Sequence, residues 1–191
     1  MGVRAQNNQP AFSYDMIAFT WNINFPINNQ FTNKTSFDGF KLDYRKMLQP
    51  DLSVGLELGW CGFDKYTPRK TYQIHNGAVT TDFYSYLYTV PMAVNAHHYF
   101  QFGHMIYPYA GLAVGAMYSE DELYYNTYVT SYTNWGFLVS PELGAIIKFS
   151  QYSGVGLLIG VSYSYSTNKQ KEFNIDGIQS FGVQIGLVVG K

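Results

Sequence analysis

The stretch 51-DLSVGLELGWC-61 decides how this chain is to be read. Leu52, Val54, Leu56, Leu58 and Trp60 occupy every second position, with Ser53, Gly55, Glu57, Gly59 and Cys61 between them. Successive side chains of a strand point to opposite sides of its sheet, so the alternation describes a strand between two unlike environments. It does not say which side is inside. A soluble sheet would bury the Leu/Trp face and wet the other, and a membrane barrel would do the reverse.

The pattern recurs along the chain. Ile17, Phe19, Trp21, Ile23 and Phe25 form one face of a first strand, and Phe40, Leu42 and Tyr44 one face of a second. The opening stretch is the third. Further alternating runs fall at 86–94, 106–118, 135–149, 155–165 and 181–189, which makes eight strands. Between them, long polar or Tyr-rich segments such as 119-SEDELYYNTYVTSYTN-134 and 167-TNKQKEFNIDG-177 alternate with short links such as 49-QPD-51. That rhythm predicts an all-β, eight-stranded, antiparallel up-and-down transmembrane β-barrel, with long loops at one rim and tight turns at the other. Pro91, Pro108 and Pro141 each remove a ladder donor and predict local irregularity.

Composition agrees. Charged residues make up 13% of the 191 residues and aromatic residues 18%, with 18 Tyr and 14 Phe. Charge is about half that of an ordinary soluble domain. The net charge of −1 gives no reason to expect a nucleic-acid partner. The apolar run 154–161 is far shorter than the ~20 residues a spanning helix needs. Residues 1–191 read as one barrel domain; residues 1–11 read as an N-terminal remnant, with Val3-Arg4-Ala5 before Gln6 fitting a cleavage site.

Aromatic placement and glycine parity choose between the two orientations. Trp21, Phe25, Trp60, Tyr84, Tyr86, Tyr118, Trp135, Tyr163, Tyr165 and Phe181 fall at the long-loop ends of their strands, and Tyr99, Phe100, Phe102, Phe149 and Tyr152 at the other end. Two such girdles mark the two headgroup layers of a bilayer. Gly55, Gly59, Gly111, Gly115, Gly156, Gly160, Gly182 and Gly186 share the parity opposite to the apolar face. A narrow lumen needs small residues there, whereas a water-facing strand gains nothing from glycine. The Leu/Trp face is therefore predicted to meet lipid and Glu57 to point inward. A soluble lipocalin-like cup with an apolar interior is the competing arrangement.

An inward Glu57 requires partners, since an unpaired buried charge is heavily penalised. Lys41, Asp43 and Arg45 come from the strand before it, and Glu142 and Lys148 from the sixth. Three cations balance three anions, which predicts a structural plug in the lumen, neither a pore nor a catalytic set. His97, His98 and His104 cluster at a short-turn rim, where an interfacial turn is a better reading than a metal site. His75, beside the Asn76-Gly77 turn signal, is the one candidate base near the long-loop rim. No catalytic, cofactor or metal residue is assigned.

The segments 36-SFDGFKLDYRKMLQPDLSVGLELGW-60, 107-YPYAGLAVGAMY-118 and 134-NWGFLVSPELGAII-147 resemble the small outer-membrane barrels of the OmpA transmembrane-domain and OmpX-like group, and most of all the "outer membrane protein beta-barrel domain" proteins of Bacteroidota. The resemblance implies a Gram-negative cell outer membrane, periplasmic termini, extracellular long loops and outer-membrane lipid as a partner. It also implies an aromatic C-terminal residue, from which the ending LVVGK departs. Such a barrel would be a non-enzymatic accessory subunit of an envelope assembly or a surface-contact protein, acting through its loops or its lipid-facing wall. An enzyme acting on outer-leaflet lipid and a soluble ligand-binding barrel are the alternatives.

Overall fold

A computed structural model describes residues 14–27, 31–74, 77–100, 102, 104–125, 128–170 and 175–190. The remnant proposed for residues 1–11 lies outside them, as do His75 and Asn76. Among the described residues eight strands form: β1 (Asp15–Ile27), β2 (Ser36–Gln49), β3 (Leu52–Ile74), β4 (Gly77–Tyr99), β5 (Ile106–Tyr125), β6 (Tyr128–Lys148), β7 (Val155–Ser166) and β8 (Ile178–Gly190). Each pairs antiparallel with the next, and β1 pairs with β8 from Met16↔Gly190 to Ile27↔Gln179, so the sheet closes on itself. Isolated bridges join Phe102 to Ile106 and Gln170 to Ile175. Closure leaves no free sheet edge, the condition a sheet must meet to sit in hydrocarbon.

The two faces of β3 are now assigned. Leu56 is 61% exposed on the outer wall, while Glu57 is 8% exposed in the interior with Ser53 and Cys61. The same division holds around the barrel, with Phe19, Leu42, Val94, Leu112, Leu143 and Leu187 outward and exposed. The interior is polar at its centre, so the lipocalin-like arrangement is not the one this chain adopts.

Two features differ from the sequence reading. First, two of the supposed long loops are strand. β3 and β4 stay paired up to Ile74↔Gly77, and β5 and β6 up to Tyr125↔Tyr128, well past the Trp60, Tyr118 and Trp135 girdle. These segments are polar on both sides, so they lack the apolar alternation that reveals a strand, yet their Tyr and Thr content favours extended structure. Second, the girdles lose members: Tyr99 is buried in the lumen, whereas Phe100, Phe102, Phe149 and Tyr152 are exposed, and Tyr86 and Tyr84 stand two and three rows above the Tyr118–Trp135 level. As expected, Pro91 and Pro141 interrupt the ladder locally without shifting it, whereas Pro108, expected to do the same, sits opposite Ala145 in an unbroken run. β3–β4 pairing skips from Leu58↔Met92 to Cys61↔Thr89 across Pro91, and β6–β7 pairing from Val139↔Tyr165 to Glu142↔Ser162 across Pro141. Register is unchanged on either side.

The lumen is layered. At the short-turn end Met16, Ala18, Tyr107, Ile146, Leu158 and Val188 pack as an apolar floor. At the long-loop end Phe63, Leu87, Met117 and Leu138 pack against Phe31, Ile175 and Ile178, residues the β1–β2 and β7–β8 connections and the start of β8 bring into the mouth. Asn168 fastens that cover, its Nδ2 donating to the Met117 carbonyl (3.0 Å) and to Ser119 Oγ (2.9 Å).

Candidate functional site: a charged lumen between two apolar layers

Between the two apolar layers, β2 supplies Lys41, Asp43 and Arg45 at alternating inward positions. β3 sets Glu57 opposite Asp43, and β6 brings Glu142 from across the lumen. Lys41 Nζ donates to Glu142 Oε2 (2.5 Å) and lies 3.8 Å from Glu57 Oε2. The Arg45 guanidinium, 0% exposed, bridges Asp43 Oδ2 (Nη2, 2.6 Å; Nε, 2.8 Å) and Glu142 Oε1 (3.2 Å). Five of the six residues singled out from the sequence thus meet.

Lys148 does not. It ends β6 six residues beyond Glu142, about 20 Å along the strand, where its Nζ donates to the Gln151 carbonyl (3.4 Å). The lumen set is therefore two cations facing three carboxyl groups, not the balanced three and three. Neutral donors make up the difference. Asn95 Nδ2 donates to Asp43 Oδ1 (2.9 Å) and Glu57 Oε2 (3.3 Å), and the Tyr109 hydroxyl to Glu142 Oε1 (2.6 Å). Arg45 Nη1 donates to the Tyr99 hydroxyl (3.2 Å), which also meets Ser53 Oγ (3.0 Å), and the guanidinium carbon stands 4.8 Å from the Tyr109 ring centre. Charge-assisted bonds of this kind keep buried ionic groups from being a large net cost.

His97 also belongs to this layer. It is 2% exposed, with its ring edge-on to Tyr109 (5.3 Å between centres) and Nε2 3.8 Å from Glu142. The sequence reading put it at the rim with His98 and His104. His98 is indeed outward, near Asp51 (3.9 Å), but inward parity carries His97 into the lumen. Asn95, His97 and Tyr99 share the parity of Glu57 through the β3–β4 register, so parity was the available signal for all three. Gly111, opposite His97, is where a backbone must approach a ring closely: a Cβ there would run into the imidazole. Gly111→Ala is expected to cost about 1–3 kcal/mol of overpacking, read by denaturant unfolding in detergent; an unchanged midpoint would mean the ring is free to move.

Beside Lys41 and Glu57, toward the long-loop end, lies a cavity of about 60 Å³ lined also by Cys61, Thr89, Ser140 and Ser164. It suits a few waters and is well below the roughly 300 Å³ at which small-molecule pockets begin. Among the described residues no group of three or more His, Cys, Asp or Glu is placed to hold a metal ion.

Above the girdle a fourth buried carboxyl stands apart from this network. Asp121 faces the mouth on β5, bonded to Asn134 but with Oδ1 unpartnered, and burial pushes its pKa up to about 6. A carboxyl raised in the folded state contributes stability below its ordinary pKa and loses it as pH rises through about 6. Asp121→Asn is therefore expected to stabilise the protein by about 2 kcal/mol at pH 8 and not at pH 4. Unfolding midpoints at the two pH values check this; equal gains at both would refute it.

No family model and no curated protein sequence matches the chain. Among solved structures it is similar to Neisserial surface protein A, with a TM-score of 0.54 and 16% identity over 95% of this chain and 97% of that one. It is also similar to the Escherichia coli outer membrane protease OmpT, with a TM-score of 0.50 and 12% identity over 81% of this chain and 66% of that one. A third similar structure is Ail, the attachment invasion locus protein of Yersinia pestis, with a TM-score of 0.46 and 14% identity over 92% of this chain and 96% of that one. The fold is that of a small outer-membrane β-barrel. Identities this low speak for the fold alone.

Proposed function

We propose that this barrel is a non-enzymatic, closed-lumen outer-membrane protein whose working part is the sheet that β3 to β6 raise beyond the membrane, and that it serves as a surface-contact protein. One observation carries the reading. Four consecutive strands continue past the Trp60–Tyr118–Trp135 girdle as one paired sheet, while β2 begins at Ser36 and β7 ends at Ser166, nearer the girdle. Ordering some forty residues of backbone with little apolar packing beyond Phe63, Leu87 and Leu123 costs conformational entropy, a cost that a contact surface would justify. In this reading the termini are periplasmic and the raised sheet is extracellular. The lumen network is a structural plug: it ties β2, β3, β4, β5 and β6 together across the barrel.

The reading is tested on native particles. The chain, expressed behind a signal peptide in its host envelope, is extracted in mild detergent, and the mass and composition of its particle are determined with and without the segment 64–84. Partners retained by the full chain and lost with that segment support surface contact through the raised sheet. A stable complex indifferent to the segment would make the barrel an accessory subunit bound through its wall. The plug is tested separately. Glu57→Gln is expected to lower thermal stability by a few degrees, in line with about 1 kcal/mol, and to leave planar bilayers non-conducting; a large steady ion current in wild type or variant would refute a closed lumen.

A further inference from the structure

The outer face of the raised sheet has a specific chemistry. Across β4 and β5, Tyr88 stands opposite Glu120, Tyr86 opposite Glu122, and Tyr84 opposite Tyr124; across β3 and β4, Asp64 stands opposite Tyr86 and Tyr66 opposite Tyr84. Two rows in which rings and carboxylates adjoin are thus followed by a third of three rings, beginning one row above Tyr118 and Trp135. The Tyr66 and Tyr84 rings are 4.8 Å apart, and Tyr86 and Tyr88 lie parallel at 6.2 Å. Tyr86 meets Tyr124 edge-on at 5.6 Å. Tyr66, Tyr84 and Tyr124 are exposed. Asp64 is paired with Lys34 (2.8 Å), and the Tyr124 hydroxyl donates to Glu122 Oε2 (3.0 Å). Among the described residues Glu120 and Glu122 make no ion pair.

We infer that this tyrosine and carboxylate face is a docking surface for a cationic polypeptide segment, one carrying lysine or arginine side chains at extended spacing. Complementarity argues for that occupant. Carboxylates pair with the ammonium or guanidinium head, and the exposed ring faces attract the same cations and cover their aliphatic stems. The rows repeat at strand spacing, which matches alternate side chains of an extended peptide. A neutral saccharide could also stack on the rings, but it gives no reason for Glu120 and Glu122 to stand among them. The inference rests on the surface-contact reading and names its partner class.

The test uses the full chain in non-ionic detergent with three probes: fluorescent decalysine, decaglutamate and maltoheptaose. Decalysine is expected to bind and the other two not. Glu120→Gln with Glu122→Gln should weaken decalysine binding by about tenfold, and Tyr84→Ala with Tyr124→Ala, which leaves the charge untouched, by about threefold. Asp51→Asn at the opposite rim should change nothing. Decalysine binding unchanged in the double glutamine variant, or insensitive to the tyrosine pair, would overturn the inference. So would maltoheptaose binding that the tyrosine pair abolishes. Each of those outcomes leaves the segment-dependent particle composition standing, so failure of the partner class and failure of surface contact are separate results.

Discussion

Arg45→Met is expected to lower the unfolding free energy by about 3–5 kcal/mol, the range for removing one partner of a buried ionic network. Arg45 is fully enclosed, and its guanidinium holds Asp43 and Glu142 at once while donating to Tyr99. Methionine fills much of the volume, so the effect isolates charge and hydrogen bonding more than a cavity. What remains would be three carboxyl groups facing Lys41 alone. Lys148→Met is the comparison: from the short-turn end it should change stability by less than about 0.5 kcal/mol. Urea unfolding of both variants in the same detergent decides the matter. If the two cost the same, the network carries no more weight than a surface charge, and the plug would have to be abandoned.

Leu56→Arg is expected to cost about 2–4 kcal/mol of membrane stability, as for arginine on the lipid face near the bilayer midplane. Leu56 lies midway between the girdles, opposite Tyr44 on one side and Val94 on the other, and projects from the wall. The neighbouring inward positions cannot accept the guanidinium, because the side chain would have to pass through the sheet. Folding into vesicles, followed by urea titration, measures the loss. Normal assembly with unchanged stability would mean that this face does not meet hydrocarbon.

Parity was the strongest information in the chain, and its limits explain both what was read and what was missed. Alternation in 51–61 together with the glycine parity placed Leu56 outside and Glu57 inside, because a two-residue period can be satisfied in only two ways and a narrow lumen accepts only one. The same rule would have sent His97 and Tyr99 inward, had closeness to a short turn not outweighed it. Parity gives the side of a wall, not the height along it. Lys148 has the right parity for the lumen but stands six residues below Glu142 on the same strand. The raised strands were hidden for a different reason: in 64–84 and 119–134 polar residues fall at both parities, so there is no apolar period to find.

The amino-acid sequence by itself determined the strands' lipid face, their alternation of long and short connections, and the hairpin that sets Asp43 opposite Glu57, since all three depend on neighbours close in the chain. Only the tertiary structure decided which charges touch. Lys41 and Glu142 are 101 residues apart, and closure of β1 on β8 with its particular stagger brings them to one level. That closure excludes Lys148, admits Asn95, His97, Tyr99 and Tyr109, and draws Phe31, Asn168 and Ile175 over the mouth. Contacts across a lumen are set by strand stagger and by space left at glycines such as Gly111, quantities that no local pattern of residues encodes.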